Sequence, residues 1–250
     1  KSIYTDFFGQ RSKPGYSYNQ DNQFLNGNNM MTAFARAAIQ GEDQLRQRVA
    51  FALSQIIVAS RRDANLENRP LAMADFYDIF TRRAFGNYYD ILMDVALHPV
   101  MGRYLSHVGN EKADPSINRY PDENFARELM QLFTIGLWQL NPDGTRQVNG
   151  QGQNIPTYSN QEITQLARVM TGLWFGGRDW GSGGWTDEDH SVPMTMNADR
   201  HDFGEKTLLT GYMIPARAET TANGMADIAD AVRSLFNHAN TAPFVSRQFI

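Results

Sequence analysis

The sequence predicts an all-α, mainly helical protein. Apolar residues recur at helical spacing along most of the chain, for example over residues 43–60 and 88–97. The clearest strand signal lies in residues 140–158, where the turn sequence Asn141-Pro142-Asp143-Gly144 favours a small β-hairpin. Residues 176–193 are rich in Gly and Trp, so we also expect long Gly/Trp-rich loops.

Each predicted helix is an apolar stripe bounded by a residue that starts or stops a helix. Ser159 and Glu162 have the spacing of a capping box, which starts a helix at the next residue. His98 precedes a proline and therefore ends a helix, and Gly136 suits the left-handed cap of another. We expect helices over residues 29–39, 43–60, 73–85, 88–97, 101–107, 124–135, 160–170 and 225–239.

Length and composition indicate a globular chain. It has 250 residues, of which 42% are hydrophobic and 20% are charged, so it can bury a sizeable core. Residues 1–27 read as an irregular N-terminal lead-in, and residues 28–250 as a single helical domain. The chain begins with Lys1 and stops at Ile250 inside an amphipathic segment. We therefore expect a fragment that lacks both ends and continues beyond its C-terminal residue.

Composition also argues against several classes of function. The net charge is −4, and the 23 basic residues are spread among 27 acidic ones, so nucleic acid is not an expected partner. No apolar run approaches the roughly 18 residues of a membrane span. Cysteine is absent, and zinc-peptidase, Walker and nucleophile-elbow motifs are missing. We therefore expect no cofactor and no metal.

The helix that begins near Asn124 has an unusual polar face. Asn124, Arg127 and Glu128 lie on it, and it contains no lysine, so it is either exposed surface or the wall of a polar cleft. In a cleft, Glu128 could act as general acid or base, and Arg127 could bind an anionic group. The alternative is an ion-pair network that joins this helix to the helix carrying Arg168.

His201 is the second candidate for proton transfer. Its neighbour Asp202 is not expected to orient it, because adjacent side chains on an extended segment point to opposite faces. Glu128 is the better partner. The alternative is a loop histidine that caps backbone groups. Lys206 could neutralise a phosphate or carboxylate of a substrate, or it could simply be solvated.

The Gly/Trp-rich loops offer two further sites. Trp174 and Trp180 could stack on sugar rings, or they could pin the loop to the core. Asp187, Asp189 and His190 have the oxygen-rich pattern of a calcium loop, but no glycine follows at the expected spacing. An exposed acidic loop is the simpler interpretation there.

Several segments, in order, resemble the bacterial domain-of-unknown-function family 1800 (DUF1800). The resemblance covers about residues 40–250. It departs from the family pattern at Leu173, which separates Gly172 from Trp174. The segments are Leu45–Ala50, Asn124–Leu129, Tyr158–Trp174, His201–Lys206 and Asp230–Ile250.

This resemblance implies a largely helical and exported protein, periplasmic or extracellular. Genes of the family often stand beside those of another exported family. Membership supplies no activity, but it raises Glu128 above a routine surface carboxylate. It also implies that the chain continues past Ile250.

Two functional hypotheses follow. The first is an exported, hydrolase-type enzyme that acts by acid–base chemistry on carbohydrate or another extracellular polymer. Glu128 and His201 would transfer protons, while the substrate would be bound by Asn124, Arg127, Arg168, Trp174, Trp180 and Lys206. The second is a non-catalytic assembly or binding protein at the cell surface, with a protein partner there and with the same polar residues forming an internal network.

Overall fold

The computed structural model describes residues 27–67, 69–176 and 192–249. It is mainly helical and contains two small two-stranded antiparallel sheets, which confirms the predicted fold class. The described chain divides into two compact units, one built from parts of 1–104 and 175–193, the other from 105–174 and 194–250. The prediction of one helical domain over 28–250 stays a prediction.

The first unit is a helical bundle. Its central helix is buried nearly all round, because apolar residues occupy every face of it. Pro70 starts that helix, where its missing N–H costs nothing. The rings of Phe76 and Phe80 meet edge to face, 5.4 Å apart, at the core. The helices are α1 (Gly27–Gln40), α2 (Gln44–Ile56), α3 (Pro70–Arg83), α4 (Tyr88–Ala96) and α5 (Pro99–Tyr104).

The second unit combines helices with the two small sheets. The helices are α6 (Asn124–Gln131), α7 (Asn160–Val169), α8 (Thr221–Phe236) and α9 (Thr241–Gln248). Strands β1 (Leu173–Trp174) and β2 (Thr195–Met196) pair antiparallel, as do β3 (Lys206–Thr207) and β4 (Met213–Ile214). The predicted capping box is present at the start of α7, where Ser159 and Glu162 satisfy each other's backbone groups.

Helix α6 is shorter than its apolar pattern suggests. It ends at Gln131, and the chain then turns, so Leu132 is 45% exposed rather than on the buried face. Gly136 has the predicted left-handed conformation, with φ of 69°, and its N–H donates to the carbonyl of Met130. A Cβ atom at Gly136 would lie 2.4 Å from the ring of Phe244, so that ring would have to shift to admit any other residue here.

Two consecutive turns replace the single hairpin predicted at 140–158. Isolated antiparallel bridges join Leu140 to Arg146, Val148 to Asn154 and Trp138 to Pro156. Backbone hydrogen bonds link Gln139, Gln147 and Ile155 in a closed ring of three. The result is a three-armed ribbon (residues 137–157), in which two arms are each closed by a turn and the third arm is the pairing of residues 137–139 with 155–157. The two arms that are closed by turns share an eight-residue sequence period, Gln-Leu-Asn-Pro-Asp-Gly-Thr-Arg followed by Gln-Val-Asn-Gly-Gln-Gly-Gln-Asn.

Within the described ranges, no helix has both the length and the apolar character that crossing a bilayer requires. The predicted lead-in over 1–27 lies outside the described residues except for its last residue.

Candidate functional site

Helix α6 presents its predicted polar residues at the surface of the second unit. Asn124 is exposed, and the guanidinium of Arg127 is paired with Glu123, one turn earlier, at 3.2 Å. The other carboxylate oxygen of Glu123 accepts a hydrogen bond from Thr164 of α7 at 2.7 Å. Glu123 therefore connects α6 to α7 through a threonine hydroxyl, which is a hydrogen bond and not the ion pair that the sequence suggested, and Arg168 of α7 pairs with Asp202 instead.

Glu128 has an unsatisfied oxygen. Its side chain is partly exposed, yet Oε2 is buried and has no hydrogen-bond partner. Burial raises the pKa of the Glu128 carboxyl, and the charge of Arg127 offsets part of that rise. The hydroxyl of Tyr158 is also buried without a partner, and the pKa of Tyr158 is raised by burial, while Arg127 and Glu128 act on it in opposite directions. Buried polar atoms without partners are uncommon in native proteins, so this pair is a candidate site.

His201 is sealed inside the second unit. It has no exposed surface, its Nδ1 lies 2.8 Å from the carbonyl oxygen of Thr171, and its Nε2 lies 3.2 Å from Oδ2 of Asp227. The expectation that Glu128 pairs with His201 is therefore wrong: the carboxylate that meets this imidazole belongs to Asp227 on α8. Both ring nitrogens of His201 are therefore in contact with a partner, Nδ1 with the carbonyl and Nε2 with the carboxylate.

Lys206 shares the same buried carboxylate. Its ammonium donates to Oδ2 of Asp227 at 2.8 Å and to the carbonyl of Gly204 at 3.0 Å, and neither Lys206 nor Asp227 has exposed surface. Arg217 lies 3.1 Å from Oδ1 of Asp227, at an angle that makes no hydrogen bond. Burial alone would raise the pKa of the Asp227 carboxyl, but His201 and Lys206 outweigh it and hold that pKa below its usual value.

Arg168 forms an ion pair with Asp202, the residue that follows His201. Its Nε and Nη2 donate to the two oxygens of Asp202 at 2.7 and 3.0 Å, the bidentate geometry that arginine favours. A further N–H donates to the carbonyl of Glu205. Burial would raise the pKa of Asp202, but the Arg168 contact outweighs it and lowers that pKa. Arg168 thus fixes the segment 201–206 to α7, while His201, next to Asp202, points to a different partner.

The aromatic and acidic candidates are only partly within the described chain. The indole of Trp174 is half-buried and packs against Gly109, where a Cβ atom would lie 2.6 Å from the ring. Trp180, Asp187, Asp189 and His190 lie outside the described residues. Over the ranges that the structure describes, His, Asp and Glu side chains form no group of three that could hold a metal ion.

An open pocket lies on the outer side of segment 201–204. Its volume is about 410 Å³, and His201 lies behind its wall with no exposed surface. The other lining residues are Lys112, Ala113, Asp202, Phe203, Gly204, Arg217 and Glu219. The buried network around Asp227 and the Arg168 contact hold this wall in place, so the pocket is preorganised.

The model of the family described as "Protein of unknown function (DUF1800)" matches residues 11–250. The chain belongs to this family. The match extends the resemblance of residues 40–250 toward the N-terminus, and the DUF1800 description assigns no activity. Comparison with curated proteins and with solved structures finds no match to either.

Sequence reasoning missed the residue at the centre of this DUF1800 network. Asp227 falls on the apolar stripe of α8, together with the buried residues Ile228, Ala231 and Leu235. An acid at a core position of a helix indicates a buried cationic partner, because an unpaired charge there is costly. That signal was present in the sequence. The partners Lys206 and His201 could not be assigned to it, since the pairing depends on how distant segments pack.

Proposed function

We propose that this protein is an exported binding protein of the cell surface or extracellular space, and that it binds a polymer without transforming it. The observation that carries the proposal is the burial of His201, Lys206 and Asp227, none of which has exposed surface. A sealed imidazole with both nitrogens bonded cannot exchange protons with a polymer outside. It serves instead to hold a pocket wall.

The open pocket in the second unit is the proposed binding site. It is concave and about 410 Å³, within the range of small-ligand sites, and it would take one or two units of a polymer chain. Its wall is rigid, because segment 201–206 is tied to α7 through Arg168 and to α8 through Asp227. Rigid walls reduce the entropy lost on binding.

The experiment is gel retardation by polysaccharides, with cleavage followed in parallel. The protein is run through native gels containing polygalacturonate, alginate or dextran, and reducing ends are counted after incubation with each polymer. We expect at least one polymer to slow migration while the number of reducing ends stays constant. Absence of retardation by all three contradicts polysaccharide binding, and a rise in reducing ends contradicts a non-catalytic role.

A second candidate function rests on Glu128. Its buried, unpartnered oxygen, its raised pKa and the nearby Tyr158 hydroxyl favour an acid–base enzyme that acts on the same class of polymer. In that case Glu128 alone, without His201, would supply the proton.

The second candidate predicts that Glu128→Gln lowers the rate of polymer cleavage by roughly 100-fold or more, since general acid–base catalysis contributes at least that factor. The rate of the parent protein would fall as pH rises through the raised pKa of Glu128, because a general acid must be protonated. Glu123→Gln is the matched control, since that carboxylate already has two partners. Equal rates for Glu128→Gln and the parent protein would remove Glu128 from the role.

A further inference from the structure

The charged groups that line the open pocket differ in whether they form ion pairs within the protein. Asp202 accepts hydrogen bonds from Nε and Nη2 of Arg168 and from the backbone N–H of Gly204. Arg217 is paired with Asp227 and with Asp230 on α8, although its side chain remains 21% exposed. These two lining charges are therefore balanced within the protein, and a ligand meets little net charge from them.

Lys112 is different. Its backbone is held on both sides, because its N–H donates to the carbonyl of Arg200 at 2.8 Å and its carbonyl accepts from Arg119 at 3.3 Å. Among the residues that the structure describes, no carboxylate lies within ion-pair distance of its ammonium. The adjacent acid, Glu111, is paired with Arg119 and Arg200 instead. The half-buried lysine lines the pocket and therefore brings to it a positive charge that has no ion-pair partner in the described chain.

Glu219 is the remaining lining charge. It is exposed at the edge of the pocket, and in the described part of the chain it makes no ion pair. An exposed carboxylate is strongly screened by water and salt, whereas a half-buried ammonium inside a concave pocket is screened less. The electrostatic preference of the pocket is therefore set by Lys112, even though the chain as a whole has a net charge of −4.

We propose that the pocket binds an acidic polysaccharide and that Lys112 is the residue that recognises its carboxylate. This inference rests on the proposed binding function and adds the class of ligand. The Lys112 ammonium would donate to a uronate carboxylate, and Arg217, which also lines the pocket, would donate to the same sugar unit. Glu219, at the edge, opposes anions and so weakens binding slightly.

The test compares three charge variants on polygalacturonate and on dextran by gel retardation. For Lys112→Gln we expect about tenfold weaker binding to polygalacturonate, the effect of about 1.4 kcal/mol from one lost charge-assisted contact. Glu219→Gln should bind about twofold tighter, because one repulsive charge is removed. The matched control is Arg48→Gln, which removes one exposed positive charge from α2 in the other unit and should leave affinity unchanged.

Each outcome has one meaning. Tighter binding of polygalacturonate than of dextran, lost in Lys112→Gln and retained in Arg48→Gln, supports the inference. Equal binding of dextran and polygalacturonate overturns the acidic class but leaves the binding function intact. Weaker binding of polygalacturonate by Glu219→Gln also overturns it, since the Glu219 carboxylate would then contribute to binding instead of repelling the anionic polymer. Melting temperatures equal to that of the parent protein show that the variants are folded.

Discussion

Replacing Asp227 with asparagine is expected to lower the free energy of unfolding by about 3 kcal/mol or more, because it leaves the buried Lys206 ammonium without its counter-charge and removes the carboxylate that His201 meets. Asp227 accepts from Lys206 at 2.8 Å and meets His201 at 3.2 Å, and all three side chains are fully buried. Asparagine has nearly the same shape, so the loss measures charge rather than volume. Urea unfolding followed by circular dichroism provides the measurement.

Asp230→Asn is the matched control for Asp227→Asn. Asp230 also pairs with Arg217 and lies on the same helix, but its side chain is 36% exposed. Exposed ion pairs contribute less than about 1 kcal/mol, so this variant should unfold close to the parent protein. Similar losses in the two variants would contradict the structural role of Asp227. A double variant with Lys206→Met should cost less than the two single changes together, because the groups interact directly.

Gly172→Ala is expected to destabilise the protein by roughly 3 kcal/mol, from a strained backbone conformation and from overpacking. Gly172 has φ of 84° and follows α7 in the chain. A Cβ atom there would lie 2.8 Å from the carbonyl oxygen of Asn197 and 2.9 Å from Cβ of His201. The backbone oxygen cannot move aside cheaply, so the change would also disturb the buried imidazole.

Gly211→Ala separates the two causes. Gly211 has a similar φ of 73°, but no atom lies within 4 Å of the Cβ position. Only backbone strain remains, and about 1 kcal/mol is expected. The measurement is the urea concentration at which half of each variant is unfolded, which compares their stabilities provided that the slope of the transition is unchanged. If Gly172→Ala lost no more stability than Gly211→Ala, the close packing around Gly172 would not be a determinant of the fold.

The helices were predictable because their periodicity is local. Eight predicted helical segments correspond to α1 through α8. The start of α7 was predicted at the correct residue, because Ser159 was recognised as its N-cap. The buried face of α2 was less accessible to sequence reasoning. Leu45 has the helical spacing of the buried residues Leu53 and Ile56, yet it is 70% exposed, whereas Gln47 is 4% exposed. Gln47 is tolerated inside because its amide donates to Asp43, a contact that hydropathy does not register.

The residues of the candidate site could be predicted from the sequence better than the ion pairs and hydrogen bonds that they form. Arg168, His201 and Lys206 were named from sequence, and the structure brings all three to segment 201–206 and its contacts. Asp202 was correctly not expected to orient His201, but the pairings of Asp202 with Arg168 and of Asp227 with Lys206 and His201 were not predicted, because no local pattern says which carboxylate a cation meets. The role of Glu128 as proton donor or acceptor stays a prediction.

The three-armed ribbon makes this part of the chain open to redesign. Its entrance and exit are held together, since Thr157 donates to the carbonyl of Leu137 and Gln139 donates to that of Ile155. Asn240 fixes the base through Trp138 and Leu140. Residues 141–154 could therefore be exchanged for a foreign peptide while helices α6 and α7 stay in register. Such an exchange would change the exposed surface of the second unit at this place without altering the helices on either side of it.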